Sequence, residues 1–191
     1  MKGVFIFLAE GFEETEAIAT WDVLRRGGID AVLVSVAGGN EVTGAHGLTV
    51  KADTDEAGFL NLVRKEGTDS RDVMVFPGGM PGTRNLAGDE ELMNLMKEHY
   101  TDGGTVAAIC AAPGYVASQL PGFEGKKFTC YDGCEGPALA NGGILVREAA
   151  VIDGNLITGR GPGCAIGFGL SILAHVKGPE TAEEVREGLK I

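Results

Sequence analysis

Residues 4–36 read VFIFLAEGFEETEAIATWDVLRRGGIDAVLVSV, and their patterning decides the fold class. Val4–Leu8 is a short run of aromatic, β-branched and aliphatic residues closed by turn signals at Glu10-Gly11, the pattern of a buried strand. From Thr15 to Arg26 the period changes. Ala17, Ile18, Trp21 and Leu24 fall on one helical face, and Gly27-Gly28 ends the helix. Ala31–Val36 is a second apolar run, stopped by Gly38-Gly39. Strand, helix and strand in such quick succession make a βαβ unit, whose two strands run parallel.

The alternation continues outward. Residues 41–51 read as a short hairpin, and Phe59 to Lys65 belongs to a helix starting near Asp55. Val73–Phe76 is a strand running into Pro77-Gly78-Gly79, and Asp89 to Tyr100 a helix with Leu92, Leu95 and Met96 inward. Val106–Ile109 is a strand, Ala112 to Leu120 a short helix and Lys127–Cys130 another strand. Ala150–Ile152 and Leu156–Thr158 flank Asp153-Gly154, a hairpin signal. A long helix from about Gly163 to Val176 and a polar one over Thr181–Leu189, opened by Pro179, complete the chain. The pattern predicts one α/β domain over residues 1–191, a mostly parallel sheet with helices on both faces. Such sheets bind ligands at the carboxyl ends of their strands.

Composition bounds the class. Of 191 residues, 31 are glycine, more than twice the roughly 7% of ordinary proteins, in a chain that is 44% hydrophobic. The glycines have no period of three and there are seven prolines, which excludes collagen and a low-complexity linker. A formal charge of −11 without a basic cluster argues against nucleic acid and anionic membranes as partners. Four scattered cysteines do not make a disulfide scaffold. The apolar run Val4–Ala9 is shorter than a signal peptide's central region, and residues 166–176 are too few to span a bilayer. The expectation is a soluble cytoplasmic protein with reduced thiols.

Residues 105–114, TVAAICAAPG, carry the chemistry. An apolar strand ends at Cys110 and a helix of small residues begins at once, with Pro113 suited to its first turn. A cysteine on such a turn has the geometry of a nucleophile elbow, and the free N–H groups of the helix start favour its thiolate. Pattern alone reads Cys110 equally well as a small buried hydrophobe. Gly78 and Gly79 end the neighbouring strand and offer backbone N–H groups to an oxyanion, or make an ordinary turn.

Four stretches in order carry a resemblance: Gly11–Glu16 (GFEETE), Phe76–Gly79 (FPGG), Ala107–Ala111 (AAICA) and Arg160–Gly163 (RGPG). The chain resembles the DJ-1/ThiJ/PfpI family, specifically its DJ-1-like (ThiJ) branch, over essentially its whole length. That resemblance implies a flavodoxin-like three-layer sandwich and a homodimer through the first helix and the glycine-arginine loop. It implies Cys110 as nucleophile and Glu16 as the glutamate hydrogen-bonded to it. Gly79, with Gly78, and Ala111 would form the oxyanion pocket. Helix periodicity does not choose among Glu13, Glu14 and Glu16; the resemblance chooses Glu16. A partly buried, protonated Glu16 would donate to the thiolate and act as general acid/base.

One departure stands out. Better-known members place a histidine after the strand following the cysteine helix, where this chain has Tyr131. None of His46, His99 and His175 falls there, so proton chemistry rests on Glu16 unless Tyr131 or a partner chain's His46 contributes. Arg26 and Arg160, with Tyr131 and Gly78, are the candidate substrate-binding residues, the arginines for anionic groups. Each arginine reads equally as a surface ion pair. Cys130 and Cys134 lack the partners of a zinc site; either is an ordinary thiol or a resolving cysteine for oxidised Cys110, and Cys164 packs at a helix start.

The expected activity is that of a cofactor-independent glyoxalase or deglycase, without metal. Its substrate would be a small carbonyl compound such as methylglyoxal, or a glycated protein. The alternative is an oxidative-stress sensor or chaperone working through oxidation of Cys110. Peptidase activity fits poorly without the histidine.

Overall fold

The computed structural model describes residues 3–191. The chain begins β1 (Val4–Leu8), α1 (Glu14–Arg26), β2 (Val32–Ser35), β3 (Glu41–Thr43), β4 (Thr49–Lys51), β5 (Thr54–Asp55) and α2 (Glu56–Glu66). It continues β6 (Val73–Phe76), α3 (Gly82–Ala87), α4 (Glu90–Thr101), β7 (Thr105–Ile109), α5 (Ala112–Tyr115), β8 (Lys127–Phe128), α6 (Gly136–Ala140) and β9 (Ile144–Leu145). It ends with β10 (Ala150–Asp153), β11 (Leu156–Gly159), α7 (Ala165–Lys177) and α8 (Pro179–Leu189).

Seven strands form the central sheet in the order β10-β11-β7-β6-β1-β2-β5. Every neighbouring pair is parallel except the β10–β11 hairpin at one edge. The fold is thus the flavodoxin-like α/β class, with the sheet between two helical layers. Strand residues alternate between the faces. Phe5, Phe7, Met74, Phe76, Val106 and Ala108 pack on the side of α2 and α4. Val4, Ile6, Leu8, Val75, Ala107 and Ile109 pack on the side of α1, α7 and α8. Both faces being covered explains why the strands read as continuous apolar runs. Asp55 caps α2 by accepting from Gly58 N–H at 2.8 Å, and Asp89 caps α4 through Leu92 N–H at 3.0 Å.

Three expectations change in detail. The strand expected over Lys127–Cys130 stops at Phe128 and pairs with β9 in a separate two-stranded sheet, because Thr129 N–H turns to the Thr158 hydroxyl (3.0 Å). The helix expected over Ala112–Leu120 divides at Val116 into α5 and a 3₁₀ turn, Ala117–Gln119. Two short helices, α3 and α6, lie in segments that read as loop.

Candidate active site

β7 runs from the far edge of the molecule to Ile109, and Cys110 is the next residue. Its φ is +66°, one of two left-handed non-glycine residues among those described. A side chain there costs roughly 1–2 kcal/mol, so the surroundings must hold it. They do so from three sides. Cys110 N–H donates to the Gly159 carbonyl at the end of β11 (2.9 Å). Its own carbonyl accepts from Tyr131 N–H (2.8 Å) and from the Cys130 thiol (3.1 Å). The thiol thereby faces the α1 side of the sheet.

Glu16, in the first turn of α1, is fully buried. Its Oε2 accepts from Gly78 N–H at 2.7 Å, while its buried Oε1 has no hydrogen-bond partner. Gly78 fits between the two functional groups. A Cβ at 78 would lie 2.6 Å from Cys110 Cβ, 2.7 Å from Glu16 Oε2 and 3.0 Å from Cys110 Sγ. Gly79 has φ +89°, and a Cβ there would collide with the backbone of residues 11–13. Only glycine lets this loop close over the thiol.

The electrostatics follow from burial. Glu16 is pushed up to about 7 by loss of water, against the lowering effect of its bonds to Cys110 and Gly78, with Glu13 adding repulsion. Burial, and then the adjacent Glu16 carboxylate, raise the Cys110 thiol; the N–H groups of Gly79 and Ala111 act on it in the opposite direction. A carboxylate beside a thiolate is the costly state. A carboxyl that keeps its proton avoids that state and can donate to the sulfur; with the thiol raised, the proton the pair gives up first, near neutral pH, is the carboxyl's. The result is a thiol, a carboxyl with a pKa near neutrality and two backbone donors in one enclosed place.

The candidate residues divide by position. Cys110, Glu16, Gly79 and Ala111 come together. Gly78 joins them, but its N–H is already taken by Glu16, so it serves as spacer and carboxyl anchor rather than as a donor to substrate. Arg160 follows Gly159 and lines a cleft of about 380 Å³ with Tyr131, Asp132 and Cys164. It is ion-paired to Asp132 (3.1 Å), which Arg147 also contacts. Tyr131 is half exposed and its ring lies by Gly161, while its N–H supports the Cys110 turn. Arg26 is not brought to the thiol. It sits in the last turn of α1, ten residues or about 15 Å along the axis from Glu16, paired with Asp22 at 2.6 Å.

His46 is exposed, with Nδ1 2.7 Å from Glu14 Oε2 and 3.6 Å from Glu13 Oε2. Among the described residues, these three are the group able to bring ligand atoms within 4.8 Å. Its bond to Glu14 and the charges of Glu13 and Glu14 raise the His46 pKa above its usual value. His99 lies at the end of α4, in its last turn, and is buried there. Sequence reading missed Cys130 and Gly159 as supports of the elbow. Neither carries a local signal, because their partners lie 20 and 49 positions away.

Residues 2–175 match the DJ-1/PfpI family. The chain belongs to that family. It is 38% identical over 192 residues to Protein dj-1beta of Drosophila melanogaster, covering 100% of this chain and 97% of that protein. It is 31% identical to a Caenorhabditis elegans protein named glutathione-independent glyoxalase DJR-1.2, covering 98% of this chain and 96% of the relative. The crystal structure of a DJ-1 superfamily protein from Salmonella typhimurium superposes with a TM-score of 0.87 at 30% identity, over 100% of this chain and 98% of that one. Family members thus include a protein named as a glyoxalase, and no helix among the described residues of this member is long and apolar enough to cross a membrane.

Proposed function

We propose that this DJ-1/PfpI family member converts methylglyoxal, or an early glycation adduct of the same dicarbonyl, to a hydroxy acid without a cofactor. The observation that carries the reading is the buried Glu16 carboxyl, with an acidity near neutrality, facing a thiol on a left-handed turn. Cys110 sulfur adds to the aldehyde carbon and its proton passes to the new alkoxide, giving a hemithioacetal. The Gly79 and Ala111 N–H groups stabilise the developing oxyanion. Glu16 as carboxylate removes the proton from that carbon and returns it to the adjacent one through an enediol, leaving a thioester. Water cleaves the thioester, releasing lactate and the Cys110 thiol. The glyoxalase name of the Caenorhabditis relative favours this chemistry. Arg160 and Tyr131 line a cleft next to the Cys110 turn, where a carboxylate or peptide portion of an adduct would rest.

The test is lactate formation from methylglyoxal without glutathione, by wild type, Cys110→Ser and Glu16→Gln. Turnover by the wild type and its loss in both variants is expected; no turnover by the wild type sinks the reading. A sensor role is the second reading, since a neutral Glu16 would equally donate to a sulfinate on Cys110, and one structural neighbour is described as oxidized Toxoplasma gondii DJ-1. Mild peroxide followed by mass mapping tests it, and equal oxidation of all four thiols would defeat it. A homodimer through α1 and residues 159–163 belongs to the same proposal and is read by sedimentation.

A further inference from the structure

The carbonyl of Cys110 points away from the thiol pocket and is held there by two donors, Tyr131 N–H at 2.8 Å and the Cys130 thiol at 3.1 Å. The peptide bond between Cys110 and Ala111 is trans. A trans peptide unit is planar and rigid, so its C=O and N–H point in opposite directions. Holding the Cys110 carbonyl on one side therefore aims the Ala111 N–H on the other, and that N–H acts on the Cys110 sulfur. We propose that Cys130 is a positioning residue, whose thiol hydrogen bond to the Cys110 carbonyl aims the Ala111 N–H at the oxygen that becomes charged on the substrate. The inference rests on the reading of Cys110 as nucleophile and Ala111 as oxyanion donor.

The surroundings of Cys130 fit that task. It is 3% exposed, and its side chain turns inward just where β8 has ended and Thr129 N–H has been diverted to Thr158. Burial, and then the neighbouring Cys134, push its thiol up to about 12. It therefore keeps the proton it must donate. Gly114, in the helix after Cys110, packs beside Cys130: a Cβ there would meet Cys130 Sγ only in ordinary contact, at 3.6 Å, but would strike the Cys134 carbonyl. The left-handed turn at Cys110 is a conformation that neighbours must impose, and a bond across 20 residues of sequence does so. A buried residue needed only for packing could be any apolar group of this size. One needed for aim must donate.

That distinction is the test. Cys130→Val keeps the apolar bulk without a donor, and Cys130→Ser restores a donor. Losing a whole oxyanion donor costs about 10²–10³-fold in kcat, and Tyr131 N–H still holds the carbonyl, so a misaimed donor is expected to cost about tenfold. Cys130→Val should show that loss in kcat with KM within about twofold of wild type, and Cys130→Ser should recover to within about threefold. A second readout needs no turnover: the rate of Cys110 alkylation by iodoacetamide against pH, followed by peptide mass mapping. Its profile should move to higher pH in Cys130→Val and return in Cys130→Ser. An unmoved profile in Cys130→Val, or equal impairment in the serine variant, overturns the proposal. Cys130→Ala replaces Cys130→Val if the latter fails to melt cooperatively. Absence of methylglyoxal turnover in the wild type would defeat the proposed reaction, while the alkylation profile would still decide the role of Cys130.

Discussion

The two ends of β7 bury ionisable side chains for opposite purposes. At the carboxyl end, Glu16 and Cys110 are enclosed together, with Glu16 Oε1 left without a hydrogen-bond partner. At the amino end, His99 is buried against the strand's first residue, its Nε2 3.1 Å from the Asp72 carbonyl and 3.3 Å from that of Thr105. The two carbonyls satisfy Nε2 while Nδ1 is buried without a hydrogen-bond partner, and Gly104 packs on the imidazole because a Cβ would run into it. One end is joined by short-range carbonyl contacts that fix the sheet to α4. The other combines a left-handed residue, a carboxyl of raised pKa and free backbone donors around a sulfur atom. Burial and an unpartnered polar atom occur at both ends; what sets the carboxyl end apart is a thiol with two backbone N–H groups beside the raised carboxyl.

The largest effect expected at the carboxyl end is that of Cys110→Ala, which removes the proposed nucleophile and should bring methylglyoxal turnover to the uncatalysed rate. Glu16→Gln should cost about 10²–10⁴-fold in kcat while leaving substrate binding nearly intact. It should also separate the ends by pH. Glu16 is raised to about 7 in the fold from an ordinary value of 4.5. The folded protein therefore binds the extra proton, and stability is full below about pH 4.5 and lost as pH rises through about 7. The loss is on the order of 3 kcal/mol. Denaturant melts at pH 8 should find Glu16→Gln more stable than wild type, with the difference vanishing near pH 4.5. Equal stability at both pH values would mean that Glu16 is not held protonated.

Much of the carboxyl end was legible from the chain because its signals are local. The strand-cysteine-helix run at residues 105–114 placed the elbow, and Pro77-Gly78-Gly79 placed the loop over it. What composition and period could not do was choose Glu16 over Glu13 and Glu14, since the choice depends on how α1 sits on the sheet. The distance of Arg26 from the thiol was hidden for the same reason: one helix carries both residues, and its axis takes Arg26 about 15 Å from Glu16. The amino end was hardly legible. His99 ends a helix in sequence and looks solvated, and only the docking of α4 on β6 and β7 encloses it. Helices α3 and α6 are under two turns and begin with glycine or proline nearby, too short for a period to show.

Two substitutions probe the packing at each end. Gly78→Ala forces a Cβ into the space of Cys110 and Glu16, and about 1–3 kcal/mol of destabilisation is expected with loss of most activity. Chemical denaturation and lactate assays read the two separately. At the amino end, burial holds the His99 imidazole below its usual pKa, against the attraction of Asp72 and Asp102. The unfolded chain then takes up a proton first as pH falls below about 6.5, so this group's contribution is lost toward acid, opposite in sign to that of Glu16. His99→Gln should flatten the acid side of the stability curve while leaving kcat within about twofold. A kcat loss comparable to that of Glu16→Gln would show that the ends are coupled, and the contrast drawn above would fail.

The smallest effect is expected from His175, the other imidazole at the amino end. Its Nε2 lies 3.0 Å from the Thr105 hydroxyl, so it touches the same strand residue as His99. Its ring, however, is on the exposed side of α7, and water can replace it. A hydrogen bond made under those conditions is worth about 0.5–1 kcal/mol, and Thr105 loses no satisfaction when solvent takes the histidine's place. His175→Ala should therefore shift the unfolding free energy by no more than about 1 kcal/mol, with no change in turnover or in Cys110 alkylation. A loss as large as that of His99→Gln would mean that contact with Thr105, rather than burial, is what makes this end of the strand sensitive.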